Sequence, residues 1–263
     1  GLADMSATDL QKPLTGKRVS ESPNISAYSE GVNGSSTVKD LETLLQLNYL
    51  YFTAPRRDEE SYQTLMSILD SQLANRDKNP KVAWSDSVQM MASNYSDRTL
   101  IINKELLSKA SLDKALEVYK ARFANPADFT FFFVGNVDPT DPAFQTMVCT
   151  WLGGLKANKK LEKAADDKVR VAMGIQKNYF TRQMETKTAS NRIQYTSYDM
   201  PYTLANDLNM EMIGRILSTR YLESIREREG GSYGVGCAGW MNRYPVPYAQ
   251  LIMQFDTDPE KQE

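Results

Sequence analysis

Apolar residues recur at three- and four-residue intervals through most of the chain, a pattern that predicts helices joined by a few short strands. Behind Ser36 or Thr37 as a cap, Val38, Leu41, Leu44, Leu45 and Tyr49 mark the buried face of a first long helix. Asp40 and Glu42 lie in its first turn and Pro55 stops it. Tyr62, Leu65, Met66, Leu69 and Leu73 repeat the pattern over 58–74, so the two helices are expected as antiparallel neighbours. Further helices are predicted over 82–92, 111–123 and 142–152. In the second of these, Asp113 sits at the positive end of the helix dipole, and Leu112, Ala115, Leu116, Tyr119 and Phe123 form the apolar set. A longer helix starts at Thr203: Leu204, Leu208, Met212 and Ile216 recur every four residues, and Ile213, Leu217, Leu222 and Ile225 widen them into a core-facing stripe.

Strand signals lie between these helices. Val19, Ile25, Ala27 and Tyr28 among polar neighbours suit one or two short strands over 17–32, which the glycine-rich stretch from Gly31 to Ser36 is expected to interrupt. Phe129, Phe131, Phe132, Phe133 and Val134 form a nearly continuous apolar run, the pattern of a strand buried on both faces. Residues 178–185 and 192–197 are rich in strand formers, and Tyr248, Leu251, Met253 and Phe255 supply another strand. After Gly230 and Gly231, alternation places Tyr233, Val235 and Cys237 on one side of a strand. Gly234, Gly236 and Ala238 leave its other side nearly bare, open to a helix or a peptide backbone. Between the halves, residues 154–177 carry Lys156, Lys159, Lys160, Glu162, Lys163, Asp166, Asp167 and Lys168, the composition of a solvated linker. The chain is therefore divided into a first α/β domain over 1–153, a linker over 154–177 and a second α/β domain over 178–263. The fold class is α+β, with mostly antiparallel sheet covered by helices on one side. The first domain is expected to lack N-terminal residues and the second C-terminal ones.

Composition narrows the chemistry. Lys and Arg number 31 against 33 Asp and Glu, a net charge of −2, so no basic excess is present to neutralise phosphates and nucleic-acid binding is disfavoured. No apolar run approaches the roughly 20 residues needed to span a bilayer. There is no histidine, and the two cysteines, Cys149 and Cys237, are far apart in sequence and read as buried thiols. That removes Ser-His and Cys-His nucleophilic catalysis and leaves no ligand set for an intrinsic zinc site. Gly31 and Gly34 open toward a helix but lack the Gly-Lys-Ser/Thr ending of a phosphate loop. Acidic runs such as Asp58, Glu59 and Glu60 are accounted for by a helix start. No cofactor motif supports an independent small-molecule enzyme. Arg226 and Tyr233 are different. Arg226 falls at a helix C-terminus and Tyr233, seven residues on, at a strand start. A helix dipole and a core-facing ring could explain them singly.

The flanking residues favour a shared role. Ile216-Leu217-Ser218-Thr219-Arg220-Tyr221-Leu222, then Ile225-Arg226-Glu227, Gly230-Gly231, Tyr233 and Val235, resemble the helix–glycine–strand segment of the pitrilysin/insulinase-type zinc metallopeptidases. The run from Arg122-Phe123 to Val134-Gly135-Asn136-Val137-Asp138-Pro139 is similar to a second family segment, and Gly31 to Pro55 to a third. The resemblance implies tandem α/β domains in two halves that enclose a peptide. One half binds zinc through an inverted H-x-x-E-H motif whose Glu activates the zinc-bound water. The other half lacks the metal ligands and supplies an Arg and a Tyr that orient the substrate carbonyl, positions matched here by Arg226 and Tyr233. The third zinc ligand of the catalytic half is a Glu in the helix after the Pro55 position, and residues 62–73 contain none. The chain is thus expected to be the non-catalytic half of a zinc metalloendopeptidase. It holds no catalytic or metal-binding residue of its own, and its zinc lies in the catalytic N-terminal half of the same chain or in a partner subunit. The resemblance also favours the periplasm or cell envelope. The alternative reading is a proteolytically inactive family member that serves as a structural or peptide-binding partner subunit.

Overall fold

The computed structural model describes residues 1–76, 78–158, 160–185, 187–228, 232 and 234–261. In chain order its elements are α1 (Ala7–Leu14), β1 (Val19–Ile25), β2 (Glu30–Ser36), α2 (Leu41–Thr53), α3 (Glu59–Arg76), α4 (Pro80–Ala92), α5 (Lys104–Ser108), α6 (Leu112–Arg122), α7 (Pro142–Trp151), β3 (Ala189–Ser197), α8 (Leu204–Tyr221), β4 (Val235–Asn242) and β5 (Tyr248–Thr257). All strand pairings are antiparallel, so the expected α+β class with antiparallel sheet is what forms. Packing divides the chain into two units, Gly1–Asn75 with Ile102–Lys163, and Arg76–Ile101 with Ala164–Glu263.

In the first unit, β1 and β2 form a hairpin in which Val19 pairs with Ser36 and Ile25 with Glu30. The glycine-rich stretch thus lies within β2 instead of breaking the strand. Gly34 faces the Leu44 side chain, and a Cβ there would come within 2.7 Å of Leu44 Cδ1, so the missing side chain lets α2 lie close to the hairpin. α2 packs on both strands and on α7. It buries Leu41, Leu45, Leu47 and Asn48, whereas Val38, expected on that face, is exposed in a single 3₁₀ turn before the helix. Thr37 does not cap the helix; its hydroxyl donates to Asp40 Oδ2 at 2.7 Å. Phe52, Phe123 and Phe129 meet edge-on or tilted, with centroids 4.9–5.4 Å apart, and Tyr119 stacks on Phe123 at 4.5 Å. α6 starts on Ser111, whose hydroxyl accepts the Lys114 N–H at 3.3 Å. Arg122 at its end joins Glu30 of β2 to Glu162.

Two expectations fail in this unit. Residues 129–134 join no ladder, and Phe132 and Val134 are 84% and 99% exposed. An apolar run reports a preference for burial, but a strand needs a partner, and no described strand pairs with this one. Cys149, expected as a buried thiol, is exposed on α7.

The second unit holds a three-stranded sheet of order β3-β5-β4, with α8 packed mainly on β4. Thr203 caps α8 by accepting the Asn206 N–H at 3.0 Å. Most of the expected core-facing stripe is turned outward: Leu204, Leu208, Met212, Ile213 and Ile216 are exposed, Leu217, Leu222 and Ile225 are half-buried, and the buried residue of the helix is Gly214. A Cβ on Gly214 would lie 2.5 Å from Gly239 N, and one on Gly239 would lie 2.2 Å from Met210 O. Two glycines face to face let helix and strand backbones touch, and this contact fixes which helix face is inward. Residues 178–185, expected as a strand, have no ladder partner among the described residues.

Candidate substrate-orienting site

β4 has two unlike faces. Strand alternation puts Val235, Cys237, Gly239 and Met241 beneath α8, and Val235, Gly239 and Met241 are buried there. Gly236 and Ala238 point the other way and are exposed. A Cβ on Gly236 would meet nothing nearer than Gln254 O at 3.9 Å, and one on Gly234 would meet nothing within 4 Å. Alternation in the sequence puts both glycines on the open side, as observed. It does not reveal that the helix settles on the opposite side through Gly239.

Past Tyr221 the helix widens into a π-helical turn, Leu222–Arg228, which packs against β4. The backbone of Arg226 lies in this turn. π-turns of this kind concentrate at functional positions. The side chain of Arg226 and the whole of Tyr233 lie outside the described residues. Of the segment between them, Ser232 donates its hydroxyl to Gly234 O at 2.9 Å and accepts the Gly234 N–H at 3.3 Å, which shapes the entry to β4. At the other end, Asp207 of α8 accepts the Met241 N–H at 2.8 Å and so ties the helix start to the strand end.

The open sheet face carries a cation that sequence reasoning does not single out. Arg192 on β3 lies across from Gln254 on β5, which in turn lies across from Gly236. Its guanidinium donates to Gln194 Oε1 at 3.1 Å, its Nε is buried without a partner, and it makes no ion pair among the described residues. Burial lowers its pKa. Only the cross-strand register reveals this row, because strand periodicity alone does not say which strands are neighbours. Cys237 is half-buried, and burial pushes its thiol up, away from thiolate chemistry. No group of three metal-ligating side chains occurs among the described residues. With no histidine in the chain, the residues present do not fit a zinc ion.

A family profile described as the peptidase M16 inactive domain matches residues 109–263. The chain belongs to that family. Curated relatives of this M16 chain include a "Zinc protease PQQL-like" protein of Arabidopsis thaliana, 24% identical over 99% of the chain, and the "Probable zinc protease PqqL" of Escherichia coli K12, 22% identical over 89%. The M16 chain spans only 28% and 25% of their lengths. Its fold matches the crystal structure of the periplasmic protease PqqL from Escherichia coli with a TM-score of 0.83 at 19% identity, covering 99% of this chain and 28% of that one. A mutant of the ferredoxin protease FusC, solved in complex with Arabidopsis ferredoxin, matches with a TM-score of 0.81 at 16% identity, covering 100% and 28%. The first half of PqqL, solved separately, matches more loosely, with a TM-score of 0.65 at 14% identity, 98% of this chain and 56% of that one.

Proposed function

We propose that this M16 chain is the non-catalytic half of a zinc metalloendopeptidase, and that Arg226 and Tyr233 bind the peptide and polarise its scissile carbonyl. The observation that carries the reading is the helix–π-turn–strand unit. Its π-turn, which holds the Arg226 backbone, packs against a strand whose outer face, at Gly236 and Ala238, is bare enough for a peptide backbone to approach. A guanidinium and a phenol held at the carbonyl oxygen stabilise the charge that develops there during attack, an effect that reaches about 10²–10³-fold in rate for a single donor. The zinc and its activated water belong to the other half, in the same polypeptide or in a partner subunit. The description of PqqL as periplasmic supports a cell-envelope location for this protein as well.

The test supplies the catalytic half and compares wild type with Arg226→Ala and Tyr233→Phe. A fall in kcat/KM of about 10²-fold or more with unchanged zinc content is expected. Unchanged kcat/KM in both variants would remove the assignment. A complete parent protein that binds peptide but never cleaves it would instead establish the inactive partner.

A further inference from the structure

We propose that Glu21 and Asn48 form a proton-dependent latch: a proton on Glu21 Oε2 is donated to Asn48 Oδ1, closing an acid–amide pair that holds the β1–β2 hairpin on α2, and its loss loosens the hairpin.

Glu21 lies on β1 and Asn48 is buried on α2, and Asn48 Nδ2 donates to Glu21 Oε1 at 2.8 Å. The two remaining polar atoms of the pair, Glu21 Oε2 and Asn48 Oδ1, are both buried and both lack a hydrogen-bond partner. With Glu21 ionised, both are acceptors and neither has a donor. One proton on Oε2 turns it into a donor while Oδ1 remains an acceptor, so a single added hydrogen satisfies both atoms. Buried polar groups are rarely left unpaired, which favours the state that pairs them.

Among the described residues no cation pairs with Glu21. The Tyr51 hydroxyl on α2 donates to the backbone carbonyl of Glu21 at 3.2 Å, and that of Tyr119 on α6 to the carbonyl of Tyr51 at 3.0 Å. Both phenols are held above their ordinary range, first by burial. Opposite Glu21 on β2 stands Gly34. Of the other charged groups on or beside these elements, Glu30 is paired with Arg122, Lys17, just before β1, donates to Thr43, and Glu42 accepts the Trp151 indole N–H at 3.4 Å. No ion pair to Glu21 occurs among the described residues. Burial therefore dominates and pushes the Glu21 carboxyl up to about 7, against the Asn48 hydrogen bond that lowers it. Because the folded value lies above the ordinary 4.5, the latch is fully closed below about 4.5 and is lost as pH rises through about 7.

The experiment follows the Glu21 carboxyl carbon by NMR in the full chain, assigned through its side-chain-to-backbone correlations, from pH 4 to pH 9. A midpoint near 7 is expected, and a midpoint between about 4 and 5, with the other glutamates, would overturn the proposal. Amide hydrogen exchange in β1 and β2, corrected for the intrinsic pH dependence, gives the second readout. Wild type should lose protection about tenfold or more between pH 5.5 and 8.5. Glu21→Gln, whose amide N–H takes the place of the acid O–H, should keep its protection at both. An equal loss in the two proteins would count against the latch.

Discussion

At residue scale, the contact that decides the second unit is made by two positions with no side chain. Gly214 and Gly239 allow α8 and β4 to meet backbone to backbone, and the atoms a Cβ would strike belong to the main chain and cannot rotate away. Gly214→Val is therefore expected to lift the helix from the sheet and to cost about 1–3 kcal/mol. The shift would be read as a lower urea midpoint followed by fluorescence of Trp240 on β4. Gly236→Ala, with nothing nearer than 3.9 Å, should change stability by no more than about 0.5 kcal/mol. The sequence shows that β4 is rich in small residues and which of them share a face. Which small residue takes the helix is a tertiary choice, set by a second glycine 25 positions earlier that periodicity treats only as a weak helix former.

At element scale, helices are legible in the sequence and ladders are not. The helices over 111–123 and from Thr203 begin where the apolar spacing places them, and Ser111 and Thr203 each supply a side-chain oxygen to an otherwise unpaired N–H. The facing of α8 departs from expectation because a four-residue stripe of Leu, Met and Ile is identical in sequence whether it meets a core or stands open, and a closer contact at Gly214 wins. An expected strand is missing where the apolar run is strong but no partner strand occurs among the described residues, as at 129–134. Asp207 shows how an element end is tied down: its carboxylate takes the Met241 N–H at 2.8 Å, joining the first turn of α8 to the last residues of β4. Asp207→Ala should cost about 1 kcal/mol, and the Met241 amide should exchange faster than its neighbours by hydrogen-exchange mass spectrometry or NMR. Asp207→Asn, which keeps an acceptor oxygen, should recover most of the loss.

At the scale of the whole molecule, the absent histidines and the M16 inactive-domain match agree. Equilibrium dialysis against micromolar zinc should leave the isolated chain without a stoichiometric ion, and on the proposed reading the isolated chain should hydrolyse peptide only at background. A tightly held zinc at one per chain would contradict the division of labour. The family is readable in three separated segments, whereas the Arg226–Tyr233 geometry is readable only as a spacing.

The unpaired stretch ending in Val134 has a practical consequence. Phe132 at 84% and Val134 at 99% exposure place strongly apolar side chains in water, and such a segment favours adhesion between molecules. Purified alone, the chain should enhance the fluorescence of the dye ANS while still folded, and should scatter light increasingly with concentration. Phe132→Lys should reduce both signals without altering the far-UV circular dichroism. This segment would then add to the outward stripe of α8 in setting how the chain behaves in concentrated solution.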